Sequence, residues 1–184
     1  MATVKQLGLM VDLGRCIGCK TCVVACRNFK ELVNHEKAMP NKMPYYLRVE
    51  SKRTGTFPEI AIDSWVLPCQ QCGNPECVQA CPEEAITKNE NGVVIIDQDK
   101  CTGCQECIDA CPYQVIMFDE EREKAHKCDL CWDLIQVGKI PVCVETCMTD
   151  AITFGEVELL KMQAKAAGKS IVDELTKESI LYVK

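Results

Sequence analysis

The chain is poor in much of what a domain of its length normally leans on. Aromatic residues make up only 5% of 184 residues, so large rings cannot supply most of a core. Hydrophobic residues reach 47%, but that fraction counts every Cys, and the oily remainder is modest. No apolar run approaches the ~20 residues that cross a bilayer, which excludes a direct membrane span. Basic charge is also short. With 21 Lys and Arg against 27 Asp and Glu the net charge is −6, and no basic stripe exists to neutralise phosphates, so nucleic acid is not an expected partner. There are two His, no Gly-rich nucleotide loop and no nucleophile–base pair, so the chain is expected to be non-catalytic by itself. Residues Met1 to Gly8 carry no apolar core region, no twin Arg and no small-residue cleavage site, and no signal peptide is expected.

What the chain has is cysteine, at 16 of 184 residues, several times ordinary usage. All of it sorts into four groups of four. Group I is Cys16, Cys19, Cys22 and Cys26, spaced C-x2-C-x2-C-x3-C. Group II is Cys69, Cys72, Cys77 and Cys81, spaced C-x2-C-x4-C-x3-C and followed by Pro82. Group III is Cys101, Cys104, Cys107 and Cys111, with the spacing of group I and followed by Pro112. Group IV is Cys128, Cys131, Cys143 and Cys147, spaced C-x2-C-x11-C-x3-C.

Three chemistries compete for such a pattern. Disulfides need an oxidising compartment, and three Cys within seven residues cannot all find partners at good geometry. Structural zinc wants two C-x2-C knuckles across a longer loop, which group IV alone could provide but groups I and III could not. Three thiolates at consecutive x2 spacings wrap one face of something larger than an ion, an iron–sulfur cubane, and the fourth Cys reaches the other cluster of a pair. Sixteen thiolates at four per cluster give four [4Fe-4S] clusters.

Crossed ligation pairs the groups. Groups II and III are contiguous and both end in Cys-Pro. Crossing their fourth ligands puts one cluster on Cys69, Cys72, Cys77 and Cys111, and another on Cys81, Cys101, Cys104 and Cys107. If groups I and IV pair likewise, the sets are Cys16, Cys19, Cys22 and Cys147, and Cys26, Cys128, Cys131 and Cys143. The fold class is then α+β: two bacterial-type 2[4Fe-4S] ferredoxin modules, one inserted into the other, with a β-hairpin insertion and a short C-terminal helix. The split module takes residues 1–30 and 126–156, the inserted module 64–125, the hairpin and linker 31–63, and the helical tail 157–184.

Local patterns supply the scaffold. The runs Ala85-Ile86-Thr87, Val115-Ile116-Met117 and Ala151-Ile152-Thr153 start at one offset after the last Cys of groups II, III and IV, as a duplication predicts. Leu7 to Leu13 and Val93 to Asp97 read as strands entering cluster loops. Tyr45 to Glu50 and Ile60 to Leu67 flank a turn at Arg53-Thr54-Gly55-Thr56 and predict a hairpin. Glu156 to Ala167 reads as an amphipathic helix ended by Gly168, Ile171 to Leu175 as a helical continuation, and Ile180 to Val183 as a last strand. Segments 27–44 and 121–127 are charged and expected to be exposed, with His35 solvated. His126, two residues before Cys128, reads as a surface residue, though it could tune a cluster by hydrogen bonding. Trp132 reads as packing over a cluster.

These motifs resemble a family: the four-cluster iron–sulfur subunits of the dimethyl sulfoxide reductase superfamily, including polysulfide, thiosulfate and arsenate reductase and formate dehydrogenase types. The matching stretches are Val11 to Cys19, Leu67 to Cys72, Asp97 to Cys104, Ala110 to Tyr113, Lys127 to Cys131 and Gly138 to Cys147, and the likeness spans roughly residues 7–156. It implies the split-module pairing and an electron-transfer role. It also implies a large catalytic subunit with a molybdenum or tungsten bis-pterin cofactor facing the group I/IV module, and a quinone-reactive membrane anchor or other redox partner facing groups II/III. Electrons would pass between the Cys16 cluster and the Cys81/Cys101 cluster. Group IV departs from the family by ending Cys147-Met148 instead of Cys-Pro, which predicts a less rigid loop. Some relatives replace one group III Cys; here all four stand, so four cubanes are expected.

The competing assignment is a polyferredoxin-type carrier for a carbon monoxide dehydrogenase, hydrogenase or tungsten aldehyde oxidoreductase, where group IV is often shorter than x11. A zinc-stabilised scaffold is a different class and predicts a colourless protein. Each oxidised cubane with its thiolates adds about −2, or about −14 overall, so docking is expected through local basic or neutral patches, or through hydrophobic area on the hairpin and C-terminal helix. The expected location is cytoplasmic or peripheral to the membrane, and periplasmic only by co-export with a signal-bearing partner.

Overall fold

The computed structural model describes residues 5–32, 45–172 and 178–184. His35, most of the segment expected to be exposed at 27–44, and residues 173–175 lie outside them.

One sheet ties together distant parts of the sequence. Strand β1 (Leu7–Asp12) is its centre, antiparallel to β8 (Ile152–Glu156) and parallel to β9 (Ile180–Val183). The register runs from Leu7 opposite Glu156 to Val11 opposite Ile152, and from Leu9 opposite Ile180 to Asp12 opposite Val183. Side chains alternate across such a strand. Leu9 and Val11 therefore enter the main core with Ile152, Ile180 and Tyr182. Met10 faces the other way, towards Val157, Leu160 and Leu181. Val157 and Leu160 belong to helix α6 (Val157–Ala166), whose buried positions Val157, Leu160 and Ala164 fall at helical spacing. The sheet is thus covered by the core on one face and by α6 on the other.

The remaining strands form three two-stranded ribbons. The longest pairs β2 (Leu47–Thr56) with β3 (Glu59–Pro68), from Leu47 opposite Pro68 to Thr56 opposite Glu59. Its inner end carries Leu47 and Val66 into the core, while Phe57 at the tip is 86% exposed. The ribbon turns at Phe57-Pro58, not at Arg53 to Thr56, which lie within β2. Gly55 takes a left-handed conformation there while staying paired with Ile60, so a residue that suggested a turn sits in the ladder. Shorter ribbons pair β4 (Ile86–Lys88) with β5 (Val94–Ile96), and β6 (Met117–Asp119) with β7 (Lys124–His126).

Three further expectations change. Segment 121–127 is not exposed throughout, because β7 turns inward and buries Ala125, His126 and Lys127. His126 is accordingly no surface residue; its ring stacks beside Tyr46, whose hydroxyl lies 3.1 Å from Nδ1. Ile171 does not continue a helix; it bridges Val183 antiparallel, extending the edge of β9. Trp132 is partly buried and packs against the core. Among the described residues no helix is long and apolar enough to cross a membrane.

Candidate metal centres

Each Cys group is shaped by one turn of helix. Helix α1 (Thr21–Phe29) carries Cys22 and Cys26. Helices α2 (Glu76–Gln79), α3 (Glu106–Asp109) and α5 (Val142–Glu145) each hold the third Cys of their group and release the fourth just beyond. A spacing of four residues places two side chains on one helical face, so each pair of thiols leaves the backbone in a common direction. Helix α4 (Trp132–Gln136) begins directly after Cys131. Packing of α1 against α5 and of α2 against α3 joins group I to IV and II to III.

The loops before these helices repeat a backbone. Gly18 and Gly103 occupy matching places in C-x-G-C, with φ of 68° and 77°. A Cβ on Gly18 would lie 2.7 Å from Ser64 Oγ, and one on Gly103 would lie 2.3 Å from the Glu123 carbonyl oxygen, so only glycine satisfies both the angle and the space. After the fourth Cys of groups II, III and IV, a left-handed Glu84, Gln114 or Asp150 returns its N–H to the carbonyl of Cys81, Cys111 or Cys147 at 3.3, 3.1 and 3.2 Å. The turn after Cys147 is therefore the same as the other two, although Met148 stands where they have proline.

All sixteen thiols are free. Twelve of them line three cavities, each about 320–340 Å³ counting its open mouth: Cys16, Cys19, Cys22 and Cys147 surround one, Cys69, Cys72, Cys77 and Cys111 the second, and Cys81, Cys101, Cys104 and Cys107 the third. Among the described residues no three His, Cys, Asp or Glu converge tightly enough for a single ion; the thiols ring a void instead of meeting at a point. The other four, Cys26, Cys128, Cys131 and Cys143, are all buried. They act on one another electrostatically: Cys131 on Cys26, Cys26 and Cys143 on Cys128, Cys131 and Cys26 on Cys143.

Neighbouring sets lie within electrostatic reach of one another. Cys22 acts on Cys26 and Cys143, Cys69 acts on Cys128, and Cys77 acts on Cys107. The order in space is therefore the Cys16 set, the Cys26 set, the Cys69 set and the Cys81 set. Exposed Cys19 and Cys104 stand in the two outermost sets.

Burial dominates the thiol chemistry. It pushes Cys26, Cys72 and Cys107 up to about 12 and Cys22 to about 11, and holds Cys128 and Cys143 well above the ordinary thiol range. The first set is more polar at its edge. Cys19 is lowered by the Thr21 hydroxyl, 3.4 Å away, and by the Thr21 backbone N–H. At Cys147 burial acts upward but is outweighed by N–H groups of Thr149 and Ala151, the latter 3.3 Å from Sγ.

Polar groups brace the interior. Lys30 pairs with Asp129 at 2.7 Å, linking the end of α1 to the group IV loop beside Cys26 and Cys131. Gln71, fully buried, donates from Nε2 to the Cys128 carbonyl at 2.9 Å and accepts the Val94 N–H at 2.8 Å. Ser179 Oγ donates to the Gln71 carbonyl at 2.9 Å. Lys127 donates to the Val94 and Cys128 carbonyls. Neither Gln71 nor Lys127 stands out in the sequence as a site residue, because both bind main-chain groups rather than a recognisable motif.

Comparison with known proteins agrees in kind. Two stretches match families described as 4Fe-4S dicluster domains, residues 15–85 and residues 61–157, so the protein holds two ferredoxin-type iron–sulfur domains. It is 35% identical over 159 residues to YnfG of Escherichia coli K12, a probable anaerobic dimethyl sulfoxide reductase subunit, covering 86% of this sequence and 77% of that one. It is 35% identical over 157 residues to the B subunit of anaerobic dimethyl sulfoxide reductase from the same strain, covering 85% and 76%. It is 34% identical over 170 residues to the formate dehydrogenase iron–sulfur subunit of Haemophilus influenzae, covering 87% of this sequence and 54% of the relative. With the cysteine spacing, the paired short helices and these relatives in hand, the protein belongs to the iron–sulfur electron-transfer subunits of the dimethyl sulfoxide reductase superfamily.

Proposed function

We propose that this subunit holds four [4Fe-4S] clusters and conducts electrons between a large molybdenum or tungsten pterin catalytic subunit and a second redox partner, a quinone-reactive membrane subunit or its equivalent. The observation that carries the reading is the unbroken file of four thiol sets, each in electrostatic reach of the next. The proposed ligands are Cys16, Cys19, Cys22 and Cys147; Cys26, Cys128, Cys131 and Cys143; Cys69, Cys72, Cys77 and Cys111; and Cys81, Cys101, Cys104 and Cys107. The donor set fits the group: four free thiols surround each of three voids, and soft thiolates suit iron–sulfur clusters. When bound, each cluster supplies a one-electron carrier with no open iron position.

The protein's own residues insulate and orient. The inner thiols lie away from water, while hydrogen bonds from Thr21, Thr149 and Ala151 serve the outer set. Ile17, 64% exposed, and Met148, 70% exposed, rim that outer set and offer apolar area to the catalytic subunit. Antiparallel pairing of β1 with β8, and packing of α1 on α5, support a split module of residues 1–30 and 126–156 enclosing an inserted one at 64–125, with 31–63 and 157–184 as additions.

Metal analysis of the native complex, purified without oxygen through a tag on this subunit, tests the reading. The expected result is about 16 Fe per copy, with near-stoichiometric Mo or W on a large co-purifying subunit. Zinc in place of iron overturns the relay; iron with nickel or no second metal moves the partner to another enzyme class. Cys147→Ser should remove or alter the paramagnetic signal of a single cluster.

A further inference from the structure

Lys127 is a buried cation with no evident structural need for its charge. It is 4% exposed, on strand-end backbone between β7 and Cys128. Its Nζ donates to two neutral main-chain oxygens, the Val94 carbonyl and, at 3.0 Å, the Cys128 carbonyl. Among the described residues no carboxylate pairs with it. Burying an ammonium without an opposite charge is expensive, so a negative partner should be close.

The surroundings identify one. The Cys128 carbonyl belongs to a proposed ligand of the second set. The same ammonium acts favourably on the thiolate of Cys77 in the third set, and Cys69 of that set acts on Cys128. Nζ therefore stands at the junction of the two central sets, where the two ferredoxin modules meet. Gln71 closes the junction from the other side: its Nε2 donates to the same Cys128 carbonyl at 2.9 Å, and its Oε1 accepts from the Val94 N–H at 2.8 Å. Val94 and Cys128 thus each engage both Gln71 and Lys127, and this mutual hold fixes the position of the charge.

We infer that Lys127 is a positioning and tuning residue of the relay: its fixed positive charge, held by the Gln71–Val94–Cys128 junction, stabilises the electron-bearing form of the cluster at Cys69, Cys72, Cys77 and Cys111 and keeps the central transfer from becoming a barrier. A one-electron reduction adds one negative charge to a site that already carries about −2 with its thiolates. A cation nearby in a low-dielectric interior favours that form, and reduction potentials follow charge and burial around the cluster. The inference rests on the ligand sets proposed above.

The test is a redox titration of the intact iron-loaded complex followed by paramagnetic resonance, comparing Lys127→Gln with Lys127→Arg. Iron content and the number of clusters in the unaltered protein check the ligand sets separately, so their failure is told apart from failure of this inference. The expected result in a fully loaded Lys127→Gln protein is a more negative midpoint for one central cluster, the end clusters unmoved, and recovery towards the original midpoint in Lys127→Arg. No midpoint change, or an equal change in all four clusters, overturns it. Should Lys127→Gln lose iron, Lys127→Met decides, because it keeps an unbranched side chain in place and removes only the charge. A lowered central midpoint there supports the inference. An unchanged midpoint, or loss of iron in both variants, makes Lys127 a scaffold residue only.

Discussion

Single hydrogen bonds decide how the outer thiols differ from the inner ones. The Thr21 hydroxyl accepts from the Cys19 thiol at 3.4 Å; once that sulfur is a cluster thiolate the hydroxyl can turn to donate to it, and such donors raise reduction potentials by favouring extra negative charge. Thr21→Val should lower the midpoint of the outermost cluster. A net hydrogen bond of about 0.5–1.5 kcal/mol corresponds to roughly 20–60 mV for one electron, at about 59 mV per decade; an unmoved midpoint in a titration would show that the hydroxyl is idle. Tyr182, fully buried in β9, donates its hydroxyl to the Val66 carbonyl at 2.7 Å. Burial raises its phenol above the ordinary tyrosine range. The folded chain thus keeps a proton that the unfolded chain gives up near pH ~10, so this stability is complete below that pH and is lost as pH climbs. Tyr182→Phe should cost about 0.5–1.5 kcal/mol near neutrality and flatten the alkaline decline, measured by denaturant unfolding from about pH 7 to about pH 11. At this scale the sequence was legible where chemistry is written in spacing, as in C-x2-C-x2-C. It was illegible at Lys127 and Gln71, whose partners are main-chain groups 23 to 57 residues away. The inward face of His126 escaped for the same reason, since its neighbour Tyr46 is 80 residues distant.

Among the elements, the β2–β3 ribbon has two halves with different tasks. Its inner end carries Leu47 and Val66 into the core and Ser64 against Gly18, whereas its outer half exposes Lys52, Arg53, Phe57, Ile60 and Ile62. A ribbon end exposed in this way among the described residues contributes little to folding. Replacing residues 52–63 by a two-residue turn, which keeps Ser51 opposite Ser64, should leave iron content and thermal stability nearly unchanged and weaken assembly with the partner subunits, read by co-purification. Reversing only the charges of Lys52 and Arg53 should weaken assembly less; full recovery of complex in both variants would remove the ribbon from the docking surface. The ribbon itself was visible as two apolar runs about a Gly-containing stretch. Gly55 signals a bend in the sequence, yet the ladder accommodates its left-handed backbone and reverses only at Phe57-Pro58. The tail shows the complementary limit. Ile171 reads as helical by hydrophobic spacing, but a single tertiary bridge to Val183 overrides that local preference.

For the molecule as a whole, metal is expected to be part of the core. Cys residues from every group stand in the same buried assembly as Leu9, Val93 and Tyr182, so emptying the sites would leave polarisable walls around voids instead of packed contacts. Chelation of iron should therefore unfold the protein cooperatively, seen as loss of β-sheet signal together with the loss of colour. In the metal-free chain the ligand thiols stay mostly protonated at neutral pH, since an ordinary thiol titrates at about 8.5, and they must release those protons on ligation. Reconstitution should accordingly be more complete at about pH 8 than at about pH 6.5, by iron count; an opposite trend would mean that the thiolates are pre-formed. The closing sheet also imposes a timetable. Thr21 and Met148 meet across the outermost set although 127 residues separate them, and β1 waits for both β8 and β9. At about 5–20 residues per second the ribosome needs roughly 6–25 s to make that stretch. If, as proposed, groups II and III form an inserted ferredoxin, it can finish while the first strand and helix are still unpartnered, so cluster delivery during synthesis would begin in the middle of the sequence and end at its outer edge. A stalled or truncated product would carry the inner module loaded and the outer thiols bare.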